Sequence, residues 1–176
     1  MIRFIYLNIA LLTLGIFSPA SQSDDREQQV KAAFLFNLAQ FVEWPASTLA
    51  ESGSSLVIGI LGENPFGVYL DQIVAGENVN GHPLLIRHCQ TADEARTCQI
   101  VFINFSEKDK IKEAIAALKG RRILTVSDRN NFISQGGMVK LIKRNNKIGI
   151  IINTESAKES EIVISSKLLR IADVVH

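Results

Sequence analysis

Apolar and polar residues follow one another along the chain in blocks that predict an α/β domain. Four short apolar runs, rich in branched residues, have the length of buried strands; they span residues 56–61, 84–88, 99–104 and 123–126. Elsewhere, apolar residues recur at intervals of three and four, which predicts helices from about Asp25 to Val42 and between Ser106 and Gly120. Asn64 as a cap, with Pro65 at the first helical position, predicts another helix that ends near Gly76. This alternation is typical of a largely parallel central sheet flanked by helices.

The pattern changes after Gly137. Residues 138–143 alternate apolar and polar side chains, residues 144–147 have the composition of a turn, and residues 148–152 are again apolar, which together predict a β-hairpin. A last helix is predicted from about Ile164 to Ala172, with Leu168 facing inward and Arg170 facing solvent. The expected fold is therefore a single α/β domain over residues 25–176, ending in a β-hairpin and a helix.

The first twenty residues have the composition of a secretory signal peptide. Arg3 is followed by an apolar run from Phe4 to Phe17 and by the small residues Ser18 and Ala20. A retained membrane anchor is the alternative, but this run is shorter than the roughly 20 residues that a spanning helix needs. We therefore predict cleavage after Ala20, or as late as residue 23, and export of the mature protein.

Composition and charge narrow the possible functions. Of 176 residues, 47% are hydrophobic and 21% are charged, which suits one globular domain. Lysine and arginine number 19 against 18 aspartates and glutamates, and Arg3 is the only charged residue of the first twenty. The mature chain is thus electrically balanced, so charge gives no reason to expect a nucleic acid partner, which normally requires a basic surface.

Export changes what the two cysteines, Cys89 and Cys98, imply. Outside the cytoplasm, an even number of cysteines favours a disulfide, and a bridge here would close a loop of about ten residues. The alternative is two separately buried thiols, because Cys98 begins an apolar strand. His82 and His88 are near in sequence but do not complete a standard set of zinc ligands, so no metal is expected.

The stretch from Arg121 to Met138 joins a predicted strand to a polar pair, Ser127 and Asp128, and then to Gly136 and Gly137. Ligand crevices lie at the carboxyl ends of strands in open α/β sheets, so these residues are candidates for binding. They also suit a purely structural role, since serine and aspartate start turns and a glycine pair precedes a new strand. Both interpretations remain open.

Trp44, the only tryptophan, follows the first predicted helix. It is either a packed anchor or part of a ligand or partner surface. The sequence has no GxSxG elbow, no HExxH motif and no Cys/His pair with an orienting group. We therefore expect a protein that is not an enzyme and that carries no cofactor.

Six stretches, taken in order, resemble the YfiR family of exported bacterial proteins. They are KAAFLFNLAQFVEWP (31–45), IGILGENPFG (58–67), CQIVFIN (98–104), ILTVSDRNNFISQGGMV (123–139), IIN (151–153) and ISSKLLRIADVV (164–175). Asn153 and Arg170 stand in two of these stretches and join Trp44, Ser127, Asp128, Gly136 and Gly137 as candidates for ligand or partner binding.

The resemblance implies a periplasmic regulator. Its best understood members bind the periplasmic sensor domain of an inner-membrane diguanylate cyclase and keep it inactive, which controls cyclic di-GMP signalling and biofilm formation. Other relatives are paired with histidine kinases, and family members can form homodimers. This chain differs in two respects: two cysteines allow only one internal disulfide, and Gly149 and Ile151 occupy hairpin positions where an Arg and a Glu are frequent.

Two functions therefore follow from the sequence. The first is a regulator that binds and inhibits a membrane signalling enzyme, most directly a diguanylate cyclase. The second is a periplasmic module that binds a small ligand, such as a nucleotide, an aromatic amino acid or a vitamin, beside Ser127, Asp128, Gly136 and Gly137, and signals to a membrane sensor kinase. The two functions are compatible, because a ligand can shift a protein between two states that differ in partner affinity.

Overall fold

The computed structural model describes residues 20–44 and 55–176, with side chains from residue 24 onward. The predicted signal peptide lies outside these residues except for Ala20. In chain order, the elements are α1 (Ala20–Phe41), β1 (Val42–Glu43), β2 (Leu56–Gly62), α2 (Tyr69–Val74), β3 (Asn78–Val79), β4 (His82–Cys89), α3 (Ala92–Ala95), β5 (Ile100–Asn104), α4 (Lys108–Leu118), β6 (Leu124–Ser127), a 3-10 turn (Ile133–Gln135), β7 (Val139–Arg144), β8 (Lys147–Asn153), α5 (Thr154–Glu159), β9 (Val163–Ile164), α6 (Ser166–Leu169) and β10 (Asp173–Val175).

One eight-stranded sheet organises the described part of the chain, with the order β10-β8-β7-β6-β5-β2-β4-β3. Neighbouring strands are parallel except for the pairs β7–β8 and β3–β4, which are antiparallel. A separate antiparallel pair joins β1 to β9. The prediction of a largely parallel α/β sheet is therefore confirmed.

Helices cover both faces of the sheet, which explains why its central strands are apolar throughout. On one face, Ile58, Phe102 and Val126 pack against α1 in a large core. On the other face, Val101 packs with α3 and α4 in a second core that includes Ile115. All five residues of β5 are buried, so no side of this strand faces water.

The β-hairpin predicted near the end of the chain is confirmed as β7 and β8, with Arg144 opposite Lys147. Its turn residues Asn145 and Asn146 are both left-handed, with φ of 48° and 60°. Two consecutive left-handed residues give the turn that matches strand twist, and asparagine tolerates this conformation better than most residues.

The last predicted helix, Ile164 to Ala172, is wrong in most of its length. Ile164 lies in β9, where it pairs with Val42, and the helix is limited to α6, which begins after the capping residue Ser165. Residues 173–175 form β10 beside β8. Pairing with β1 determines the start of this segment, and pairing with β8 determines its end. The local pattern of apolar and polar residues does not indicate either partner.

Two other helix boundaries also differ from the prediction. Val42 ends the first predicted helix but lies in β1, because it pairs with β9. The second helix begins only at Tyr69, because residues 65–68 form a turn in which Asn64 Oδ1 accepts a hydrogen bond from Phe66 N at 2.9 Å. No helix within residues 20–44 or 55–176 is both long enough and apolar enough to cross a membrane.

Candidate functional site

Ser127, at the carboxyl end of β6, is fully buried and holds two neighbouring segments together. Its Oγ donates a hydrogen bond to Ile103 O at 2.7 Å and accepts one from Arg129 N at 3.1 Å. The side chain thus ties β6 to β5 and shapes the turn that follows. These contacts satisfy the hydroxyl as both donor and acceptor.

Asp128 is turned toward α1 and takes part in a chain of ion pairs. Lys31 Nζ lies 2.7 Å from Asp128 Oδ2 and 2.7 Å from Glu27 Oε1, and Lys143 Nζ lies 2.7 Å from Glu27 Oε2. We call these four residues the α1 ion-pair chain. It connects the first helix with the end of β6 and with the hairpin strand β7.

Burial makes Lys31 the centre of the α1 ion-pair chain, since it is only 5% exposed. Burial by itself lowers the pKa of Lys31, but the hydrogen bonds to Asp128 and Glu27 outweigh it, so the pKa is raised. The hydrogen bonds from Lys143 and then Lys31 lower the pKa of Glu27. Both groups are therefore held in their charged forms.

Sequence reasoning missed Lys31 and Glu27. A signal was present, because Lys31 stands on the same helical stripe as the buried residues Leu35 and Leu38, at spacings of four and seven. A lysine on an apolar stripe requires a partner if its ammonium group is buried. Glu27, one turn earlier, is the partner that the helical spacing offers.

A second polar cluster joins β2, β5 and the turn after β6. Arg129 Nε and Nη2 donate to Asn104 Oδ1 at 2.9 and 2.6 Å, and Asn104 Nδ2 donates to Glu63 O at 2.8 Å. The polar groups at this edge of the sheet therefore bind one another. Their arrangement fixes the relative positions of three segments.

The two glycines have different roles. Gly137 is required by packing, because a Cβ there would lie 2.3 Å from Cε1 of the Phe132 ring. Gly136 ends the 3-10 turn with φ of 93° and faces Ile115 of α4. It lines a pocket of about 170 Å³ that does not include Ser127 or Asp128. The structure thus places Asp128 and Gly136 on opposite faces of the sheet.

The remaining candidates lie near the C-terminal segment. Trp44 is partly buried against the α1-side core, and its Nε1 has no hydrogen-bond partner within the described ranges. Asn153 Oδ1 accepts a hydrogen bond from Ser156 N at 3.0 Å and so caps α5. Arg170 is exposed at the end of α6. Because β1 pairs with β9, Trp44 lies at the end of a strand whose partner leads into α6.

Cys89 and Cys98 are buried neighbours, and both are free thiols in the structure. Gly59 makes room for them, because a Cβ at this position would lie 2.8 Å from Cys98 Sγ and 3.5 Å from Cys89 Sγ. Their mutual hydrogen bond lowers the pKa of Cys89 and raises that of Cys98. The disulfide between them stays a prediction.

Fold and site together define an α/β protein whose polar groups at the sheet edge are bound to one another. Within the residues that the structure describes, no three His, Cys, Asp or Glu side chains are grouped to hold a metal ion. The arrangement positions α1 relative to β6 and β7 of the sheet.

The chain belongs to the YfiR/HmsC-like family, whose model matches residues 28–173. The family is regulatory rather than catalytic, it is periplasmic, and it is associated with membrane signalling partners. The matched range begins within α1 and ends in β10. It therefore includes the cysteine pair and every member of the α1 ion-pair chain except Glu27, which lies one residue before it.

Other comparisons are more distant. No curated protein matches the chain significantly. A solved structure of a conserved domain protein from Vibrio cholerae O1 biovar eltor shares 12% identity, with a TM-score of 0.49 over 68% of this chain and 54% of that one. A structure titled as the ABC domain in complex with L-Trp from Streptococcus pneumonia shares 11%, with a TM-score of 0.47 over 72% of this chain and 58% of that one. The chain thus spans little more than half the length of these structures, and neither likeness bears on function.

Proposed function

We propose that this protein is an exported periplasmic regulator that binds the periplasmic sensor domain of an inner-membrane diguanylate cyclase and inhibits the enzyme. By doing so it lowers cyclic di-GMP and limits biofilm formation. The observation that carries this proposal is the family match over residues 28–173, in a family that is regulatory and associated with membrane signalling partners.

Exposed apolar side chains near the C-terminal end support a protein partner. Ile171 is 69% exposed and Val163 is 54% exposed, although both belong to short segments that pack on the domain. Val163 also lines an open, largely apolar groove of about 380 Å³, together with Ala157, Ile162 and Leu169 among others. We call Val163, Ile171 and the residues that line this groove the C-terminal surface. Exposed apolar groups that lie together are typical of interaction sites.

Two sequence-predicted candidates are connected with the C-terminal surface, Arg170 by sequence and Trp44 by strand pairing. Arg170 directly precedes Ile171, and Trp44 follows β1, whose partner strand β9 contains Val163. Tryptophan and arginine are enriched among the residues that contribute most to binding. We therefore assign Trp44 and Arg170 to the partner surface, and we assign Ser127, Asp128 and Asn153 to maintaining the fold.

Crosslinking in intact cells tests this function. The tagged protein is crosslinked in the periplasm, membranes are solubilised, and the captured proteins are identified by mass spectrometry. We expect an integral membrane protein with a periplasmic domain and a cytoplasmic cyclase domain. Capture of a histidine kinase instead would exclude the cyclase as partner, and recovery of no membrane signalling protein would contradict the proposal as a whole.

A further inference from the structure

The geometry points to a binding site for a small monocarboxylate in the pocket between α4, α5 and the turn at Gly136. This inference does not depend on the proposed partner. The pocket has a volume of about 170 Å³, and Ile115, Ala116 and Met138 form part of its wall. A cavity of roughly 150 Å³ holds one benzene ring. The space therefore suits a ligand with a single ring or a short branched chain.

Three hydroxyl groups line the same pocket and offer hydrogen bonds to an acceptor. Thr125 Oγ1 accepts from Met138 N at 3.2 Å, and Ser160 Oγ accepts from Gly120 N at 3.3 Å. In the described part of the chain, neither hydroxyl hydrogen has an acceptor of its own, and the same is true of Ser156. A hydroxyl that already accepts from a backbone N–H is oriented to donate elsewhere.

The charges at the pocket favour an anion. Lys112, Lys119 and Glu159 are its charged lining residues, and Lys119 Nζ lies 2.9 Å from Glu159 Oε2. Lys112 has no ion pair within the described ranges. After the Lys119–Glu159 pair is counted, the lining keeps one net positive charge, that of Lys112. This charge complements a single carboxylate. A ligand with an apolar body and one terminal carboxylate therefore matches the apolar walls, the hydroxyl donors and the excess positive charge of the pocket.

NMR titration of the isotope-labelled full mature chain tests the site with benzoate and with benzamide, a neutral molecule of nearly the same shape. We expect benzoate to bind in the millimolar range and to shift the amide signals of Ile115, Gly136 and Ser160. Benzamide should bind about tenfold more weakly, because charge-assisted hydrogen bonds are about twice as strong as neutral ones. Added salt should weaken benzoate binding.

Two variants and one control complete the test. Lys112→Gln should weaken benzoate binding about threefold, in line with a single solvent-exposed charge pair. Ala116→Leu should abolish binding, because the larger side chain fills the pocket. This variant should still fold, because position 116 is exposed. Lys110→Gln, on the same helix but outside the pocket, should change nothing. Equal affinity for the two probes, unchanged binding to Ala116→Leu, or equal effects of the two lysine variants would each overturn the inference.

Discussion

Lys31 shows how one buried charge can fix the position of a helix on a sheet. Its ammonium group links Glu27 in the same helix to Asp128 at the end of β6, each at 2.7 Å. A buried ammonium needs such partners, because its desolvation costs more than any single ion pair returns. Lys31 therefore fixes the position of α1 relative to β6, whereas the buried apolar residues of α1 provide most of the stabilising free energy.

Replacing Lys31 with methionine should destabilise the protein by about 2–3 kcal/mol, because Glu27 and Asp128 would lose a shared partner while staying mostly buried. Urea unfolding of the mature protein measures this. The matched control is Lys110→Met, which removes an exposed lysine paired with Glu107 and should change stability by less than about 0.5 kcal/mol. Equal effects of the two variants would show that the α1 ion-pair chain does not position the helix.

The lowered pKa of Glu27 gives the stability a defined pH dependence. The pKa of Glu27 is lower in the folded state than its ordinary value of 4.5, so its ion pairs stabilise the protein above about pH 4.5 and lose this contribution as the pH falls through the folded-state value. The difference in unfolding free energy between the wild type and Glu27→Gln should therefore be largest near neutral pH and shrink in acid. A difference that stays constant down to the acid range would contradict this assignment.

At the scale of elements, apolar runs predicted the strands well because both faces of the sheet are covered. The runs at 56–61, 99–104 and 123–126 correspond to β2, β5 and β6 within a residue or two at each end. In contrast, β1, β9 and β10 are two or three residues long and exist because they pair with distant segments. The site followed the same rule: the position of Asp128 at a strand end was predicted, but its partner Lys31, 97 residues earlier, was not.

The turn of the hairpin provides a test at this scale. Asn146→Val should destabilise the protein by about 1–2 kcal/mol, because a branched residue is strained at the observed φ of 60°. The neighbouring exchange Lys147→Val is the control, since this position begins β8, where branched residues are favoured. Thermal unfolding compares the two; if Asn146→Val is as stable as Lys147→Val, the turn does not impose the left-handed conformation.

At the scale of the whole molecule, the buried polar contacts and the proposed partner surface involve different residues. Lys31 and the cysteine pair are buried, whereas the C-terminal surface exposes the apolar side chains of Val163 and Ile171. A regulator requires this division, because a rigid scaffold has to present a fixed partner surface. Removing an exposed contact should therefore change regulation without changing the fold.

Ile171→Glu tests the C-terminal surface. The variant should fold with wild-type stability, because Ile171 is 69% exposed, but it should bind the sensor domain at least about tenfold more weakly, as expected when a charge replaces an apolar contact at an interface centre. Val68→Glu is the matched control, since Val68 is 61% exposed and lies beside α2 rather than at this surface. Equal affinity of the two variants would place the interface elsewhere.

The central claim, inhibition of a membrane diguanylate cyclase from the periplasm, is tested most directly by the cellular concentration of cyclic di-GMP. Deleting the gene should raise this concentration several-fold, and expression of the full chain should restore it. A chain without residues 1–20, the predicted signal peptide, should not restore it. An unchanged concentration after deletion, or full restoration by the chain without residues 1–20, would contradict the account.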